Sequence, residues 1–193
     1  MASPRVVVLA GINGAGKTTA SMDLLVNVLK IPIFVNADAI ARGLNGVNPE
    51  SEAFRAGKIM LVHLEELVAE RASFAIETTL AARSYAKWLA DLRMLGYETH
   101  LYYYWLDSVE VAIGRVAMRV QSGGHFVPDA TVRQRYSRSV RNFFELYRQH
   151  ADVWEVYDNT HGQRELLACG SCDDELIGDE LSWAEFRRSG GYD

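Results

Sequence analysis

Apolar runs of strand length alternate with amphipathic stretches of helix length along most of this chain. Arg5–Ala10 (RVVVLA), a short run ending in four apolar residues and an alanine, is long enough for a buried strand, and Lys17–Leu29 is compatible with a helix. Ile31–Asn36 (IPIFVN) is a second strand introduced by Pro32, which delivers Asp38 to a strand end. Ala39–Asn48, with Gly43, Asn45, Gly46 and Asn48, reads as a mobile connection. Pro49, with Glu50 and Glu52 in a first turn, opens a helix to about Glu70, whose inward positions are Ala53, Ala56, Ile59, Met60, His63, Leu64 and Leu67. Ser73–Glu77 is a third strand, and a helix over Ser84–Leu95 stops at Gly96. The aromatics of a fourth strand, Thr99–Leu106 (THLYYYWL), read as core rather than as a base-stacking platform.

Ser108 or Asp107 caps a helix to about Val120. Gln121–Pro128 (QSGGHFVP) is a hinge-like loop, and Asp129 or Thr131 opens a helix to about His150. Val153–Tyr157 is the fifth strand. The tail holds a short strand near Glu165–Ala168 and a helix near Leu181–Arg188. Strands and helices repeating at this spacing predict α/β architecture, a three-layer sandwich around a mostly parallel five-stranded sheet with right-handed crossovers.

A chain of 193 residues suits one domain, with 108–148 as a lid and 161–193 as an acidic elaboration. A net charge of -5 gives no global reason to expect nucleic acid. Cys169 and Cys172 form a lone C-x-x-C without a second ligand pair, read as incidental thiols. Met1–Pro4 leaves no room for a signal peptide and no run reaches transmembrane length, so a cytoplasmic protein is expected.

Chemistry enters at the end of the first strand. Gly11–Thr18 (GINGAGKT) matches G-x-x-x-x-G-K-[ST] at every fixed position, between a strand and a helix. Gly11, Ile12, Asn13, Gly14, Ala15 and Gly16 supply a backbone cradle for phosphates. Lys17 reaches the β- and γ-phosphates, Thr18 holds Mg2+, and Thr19 completes the set; ATP and Mg2+ are the expected cofactors. No N-K-x-D follows a strand, as a guanine-binding switch would require, and the chain is short for a motor ATPase. A compact P-loop kinase is the remaining class.

Ligands of open α/β sheets sit beyond the carboxyl ends of the strands. Asp38 is therefore the candidate to orient and deprotonate an acceptor hydroxyl, with helix capping as its alternative role. Glu77 is placed to bind the acceptor or to act on Mg2+ through water, with a structural ion pair as its alternative role, and Thr78 and Thr79 either cap the next helix or reach substrate. Arg83 and His125 complete the acceptor side. Between Leu106 and His150 stand seven arginines and no lysine, a usage suited to bidentate phosphate recognition. Arg115 and Arg119, four apart, share a helical face and form a candidate clamp. Arg133 and Arg135 lie across the glycine loop, with Arg138 behind them.

Together the Walker loop, the VNADAIA segment around Asp38, the AIETT strand end and the arginine-rich QSGGHFVP region resemble the zeta toxin family of P-loop kinases over about Val6 to Thr160. That resemblance implies a P-loop NTPase fold and ATP- and Mg2+-dependent phosphorylation of a small molecule, the 3'-hydroxyl of UDP-N-acetylglucosamine in the family's sugar kinases. It implies Asp38 as base, Glu77 on the acceptor and Arg115 on phosphate, with Arg119, then Arg133 or Arg135, as second arginine. It also implies an antitoxin-like protein inhibitor. Thr78 stands where those sugar kinases have glycine. A nucleotide-dependent regulatory module with slow hydrolysis and a polynucleotide end kinase are the alternatives.

Overall fold

A computed structural model of the protein describes residues 3–19, 24–171 and 173–192. Strand β1 (Arg5–Ala10) is central because it is apolar on both faces. Val6, Val8 and Ala10 enter one core, Val7 and Leu9 the other. Strands β3 (Phe74–Thr78) and β4 (Glu98–Trp105) flank it in parallel. Outside these lie β2 (Ile33–Val35) and β5 (Val153–Asp158), also parallel. Strands β6 (Glu165–Gly170) and β7 (Glu175–Ile177) extend the β5 edge antiparallel. The order is β2-β3-β1-β4-β5-β6-β7, so the sheet has seven strands where five were expected. The three residues of β7 carry no periodic signal; an edge ladder holds them, not burial.

Residues 17–19 are helical, and α1 (Leu24–Leu29) is wound with π-type turns. Helix α2 (Ala37–Leu44) replaces most of the connection expected over Ala39–Asn48. Asn36 starts it, its Oδ1 accepting from the Asp38 and Ala39 N–H groups at 2.8 and 3.2 Å. This cap outweighs the helix-weakening Gly43. Pro49–Glu52 is a 3-10 turn leading into α3 (Ala53–Ala69). There Ala56, Met60, Leu64 and Leu67 are buried, while Ala53, Ile59 and His63, expected inward, are exposed. One narrow stripe suffices where a helix meets a flat sheet.

Helix α4 (Ser84–Met94) crosses to β4, and α5 (Val109–Gln121) is capped by Ser108, whose Oγ accepts from Val111 N–H. Helix α6 (Asp129–Asn142) continues through Phe143–Tyr147 in π-type turns and a 3-10 turn at Arg148–His150. The segment expected as a lid is packed into the body: Ala112, Val116 and Val132 join one core, Val140 and Phe143 the other. Asn142 Nδ2 also donates to the Leu80 carbonyl at 2.6 Å. Helix α7 (Glu180–Ser189) lays Trp183 on Trp154 and Phe186 on Tyr103. Cys169 is a free thiol on β6, and Cys172 lies outside the described residues.

Candidate functional site

The loop leaving β1 runs where no side chain fits. Gly11 has φ +133°, and a Cβ there would stand 2.2 Å from the Tyr104 carbonyl oxygen; Gly14 has φ +85° and 2.6 Å from that of Ala112. Side chains from distant elements then fix the loop. Asn159 Nδ2, after β5, donates to the Ala15 carbonyl at 2.9 Å, and Arg135 Nη1, on α6, donates to Asn13 Oδ1 at 3.0 Å. Lys17 Nζ donates to the Ile12 carbonyl at 2.9 Å.

Parallel pairing sets Glu77 opposite Leu9, which brings the acid to the start of the loop. Glu77 Oε2 accepts from Thr18 Oγ1 and from Asn36 Nδ2, each at 2.8 Å, and Oε1 stands 3.6 Å from Lys17 Nζ. With Lys17 and Glu77 only 6% and 15% exposed, solvent screens this pair weakly. Burial holds the Lys17 pKa below the ordinary lysine value; Glu77 and Asp38 oppose that and Arg119 adds to it. Two carboxylates facing the ammonium favour its charged form. A cavity of about 170 Å³ opens here, lined by Lys17, Thr18, Asp38, Arg42, Glu77, Arg119 and His125 among others.

Asp38 sits in the first turn of α2, not at its cap. Asn36 takes that place, and sequence reasoning missed both this residue and Arg42, one turn beyond Asp38. An asparagine at a strand-to-helix junction was the signal available. Asn36→Ala is expected to cost about 1 kcal/mol through the lost cap, read as a lower urea midpoint, and to lower transfer by releasing Glu77.

The structure separates the expected arginines. Arg119 lines the Asp38 cavity; its Nη2 donates to the His125 carbonyl at 2.7 Å, and its buried Nε has no partner. Arg115 Nη2 donates to the Thr160 carbonyl at 2.7 Å and lines a second cavity of about 420 Å³ with Gly14, Gly16, Thr19, Asn159 and Arg164. The phosphate loop contributes to both cavities, and the two arginines line different ones. Arg133 is exposed and pairs with Glu110 at 2.6 Å. It does not line either cavity, and Arg133→Ala is expected to leave transfer rate and melting temperature unchanged. Arg138 and Arg83 are also exposed. Thr78 Oγ1 accepts from Leu80 N–H and Thr79 Oγ1 from Ala81 N–H; these hydroxyls hold the turn after β3 and do not cap α4. His125 Nδ1 lies 3.6 Å from Glu50 Oε1, linking the α5–α6 loop to the turn before α3.

These residues fit a nucleoside triphosphate: a cradle without room for Cβ atoms, a buried ammonium at its exit, and a hydroxyl beside an acid. Fold and loop together define an α/β P-loop NTPase. The AAA domain family matches residues 6–141, and the chain belongs to that family. An uncharacterised protein of Haemophilus influenzae is 29% identical over 132 residues, 68% of this chain and 92% of that protein. The AvrRxo1-ORF1:AvrRxo1-ORF2 complex solved with sulphate ions superposes with TM-score 0.73 at 14% identity, covering 95% of this chain and 63% of the matched one; the same complex has been solved with ATP. This chain therefore spans less than two thirds of that relative. A structure from the PezAT chromosomal toxin-antitoxin system of Streptococcus pneumoniae gives TM-score 0.65 at 15% identity, covering 99% and 86%. The expected kinship with toxin-antitoxin proteins thus holds at the level of fold. Among the described residues, no helix is long and apolar enough to cross a membrane.

Proposed function

We propose that the protein is an ATP-dependent phosphotransferase that moves the γ-phosphate to a hydroxyl of a small molecule. One observation carries this reading: the Asp38 carboxylate lines the same cavity as Lys17 and Thr18. A carboxylate there can orient and deprotonate an acceptor hydroxyl. ATP bound to the AvrRxo1 complex of the same fold supports the choice of donor. Gly11–Thr19 cradle the phosphates, and the cavity beside Arg115 and Asn159 takes the nucleoside. Lys17 and Arg119 face the charge that develops on the transferring oxygens. Asp38 orients the acceptor hydroxyl and receives its proton as the new bond forms. Glu77 fixes Lys17 and Thr18.

Among the described residues, no cluster of three or more His, Cys, Asp or Glu side chains is arranged to hold a metal. Mg2+ would be held by the Thr18 hydroxyl together with phosphate oxygens, where it would neutralise charge on the β- and γ-phosphates. The toxin-antitoxin relatives put an antitoxin-like protein inhibitor within this proposal. Incubation with γ-labelled ATP, Mg2+ and a metabolite panel that includes UDP-N-acetylglucosamine tests the reading. Label is expected on an organic hydroxyl; label confined to inorganic phosphate across the panel overturns it in favour of a regulatory module.

A further inference from the structure

We infer that the acceptor is an anion, carrying a carboxylate or phosphate about one helical turn from its reacting hydroxyl, and that Arg42 reads this group. The inference rests on the phosphotransferase reading and narrows it to a substrate class. Helix α2 puts Asp38 and Arg42 four residues apart, hence on one face and separated by about 6 Å along the axis. Both line the 170 Å³ cavity, and both continue into an annex of about 60 Å³ walled otherwise by Ala37, Ala41, Pro49, Ala53 and His125. A molecule with its hydroxyl at Asp38 therefore presents its next groups to Arg42.

The other cations of the cavity are at least partly engaged. Lys17 is tied to the Ile12 carbonyl and faces Glu77, and Arg119 is tied to the His125 carbonyl; both stand on the donor side. Arg42 differs from them. It is exposed, and among the described residues it has no carboxylate within ion-pair distance. Its place in the last turn of α2 suits the helix dipole, but that effect does not require a guanidinium bordering the reaction cavity. A planar fork of donors with no partner matches a carboxylate or phosphate bidentately. Besides Asp38, Arg42 and His125, the annex walls are alanine and proline, so Arg42 is the one permanently cationic group facing it.

The test compares a neutral sugar alcohol with its phosphate monoester and its aldonic acid, at saturating ATP and Mg2+, in wild type, Arg42→Gln and Arg42→Lys. The wild type is expected to favour an anionic acceptor in kcat/KM by about 10–100-fold, the range of a charge-assisted hydrogen-bonded pair; the monoester and acid arms separate the two anion types. Arg42→Gln should abolish that preference through acceptor KM, leaving KM for ATP and the melting temperature unchanged, and Arg42→Lys should restore part of it. Equal use of the neutral acceptor by wild type, or a preference retained in Arg42→Gln, overturns the inference while the phosphotransferase reading stands. Failure to label any acceptor overturns both.

Discussion

Asp38→Asn is expected to lower phosphoryl transfer by about 10²–10⁴-fold, the range of a lost general base, with ATP affinity nearly intact. The substitution keeps size and polarity and removes only the ability to take a proton. Among the described residues the Asp38 carboxylate has no hydrogen-bond or ion-pair partner, although its charge favours the Lys17 ammonium at longer range. What is lost is its attraction to the N-terminus of α2, worth about 0.3–1 kcal/mol. Single-turnover transfer beside nucleotide titration separates the two effects. Full transfer activity in the variant would remove Asp38 as base.

Lys17→Met is expected to reduce transfer by about 10²–10³-fold, comparable to removing one donor aimed at developing charge, while the protein stays folded. Lys17 is 6% exposed and its ammonium is penalised by burial. Methionine fills similar volume without that penalty. Against this, Glu77 loses a facing cation yet keeps Thr18 Oγ1 and Asn36 Nδ2 as donors. The opposing changes leave stability within about 1–2 kcal/mol, a shift of a few degrees in melting temperature for a chain of this size. Unfolding of the variant would show that the ion pair is chiefly structural; wild-type transfer rates would show that the ammonium does not face the reacting phosphate.

The parallel half of the fold was legible because buried strands announce themselves as unbroken apolar runs and the glycine loop has only one use at a strand end. Asp38, Glu77, Lys17 and Thr18 meet in one cavity as strand-end positions predict. Legibility failed where side chains act on distant backbone. Helix α2 was hidden because its start depends on the Asn36 amide, and without that helix the i,i+4 relation of Asp38 and Arg42 could not be seen. Counting arginines grouped Arg115, Arg119, Arg133 and Arg135 as one set. The structure distributes them among the cavity beside Asn159, the Asp38 cavity, an exposed pair with Glu110 and a brace on Asn13. Local spacing gives a helix face, whereas the partner of that face is set by packing. The anchoring of α6 was hidden for the same reason, since Val132, Val140 and Asn142 hold it through contacts far away in sequence.

The central claim is that an acceptor hydroxyl meets the donor at Asp38. A crystal structure of Asp38→Asn with ATP, Mg2+ and the labelled acceptor from the panel tests it most directly, because a variant without the base can hold an unreacted ternary complex. The account predicts one acceptor hydroxyl about 2.6–3.2 Å from residue 38, in line with the γ-phosphorus and the leaving oxygen. An acceptor bound elsewhere, with no hydroxyl reaching residue 38, would contradict it.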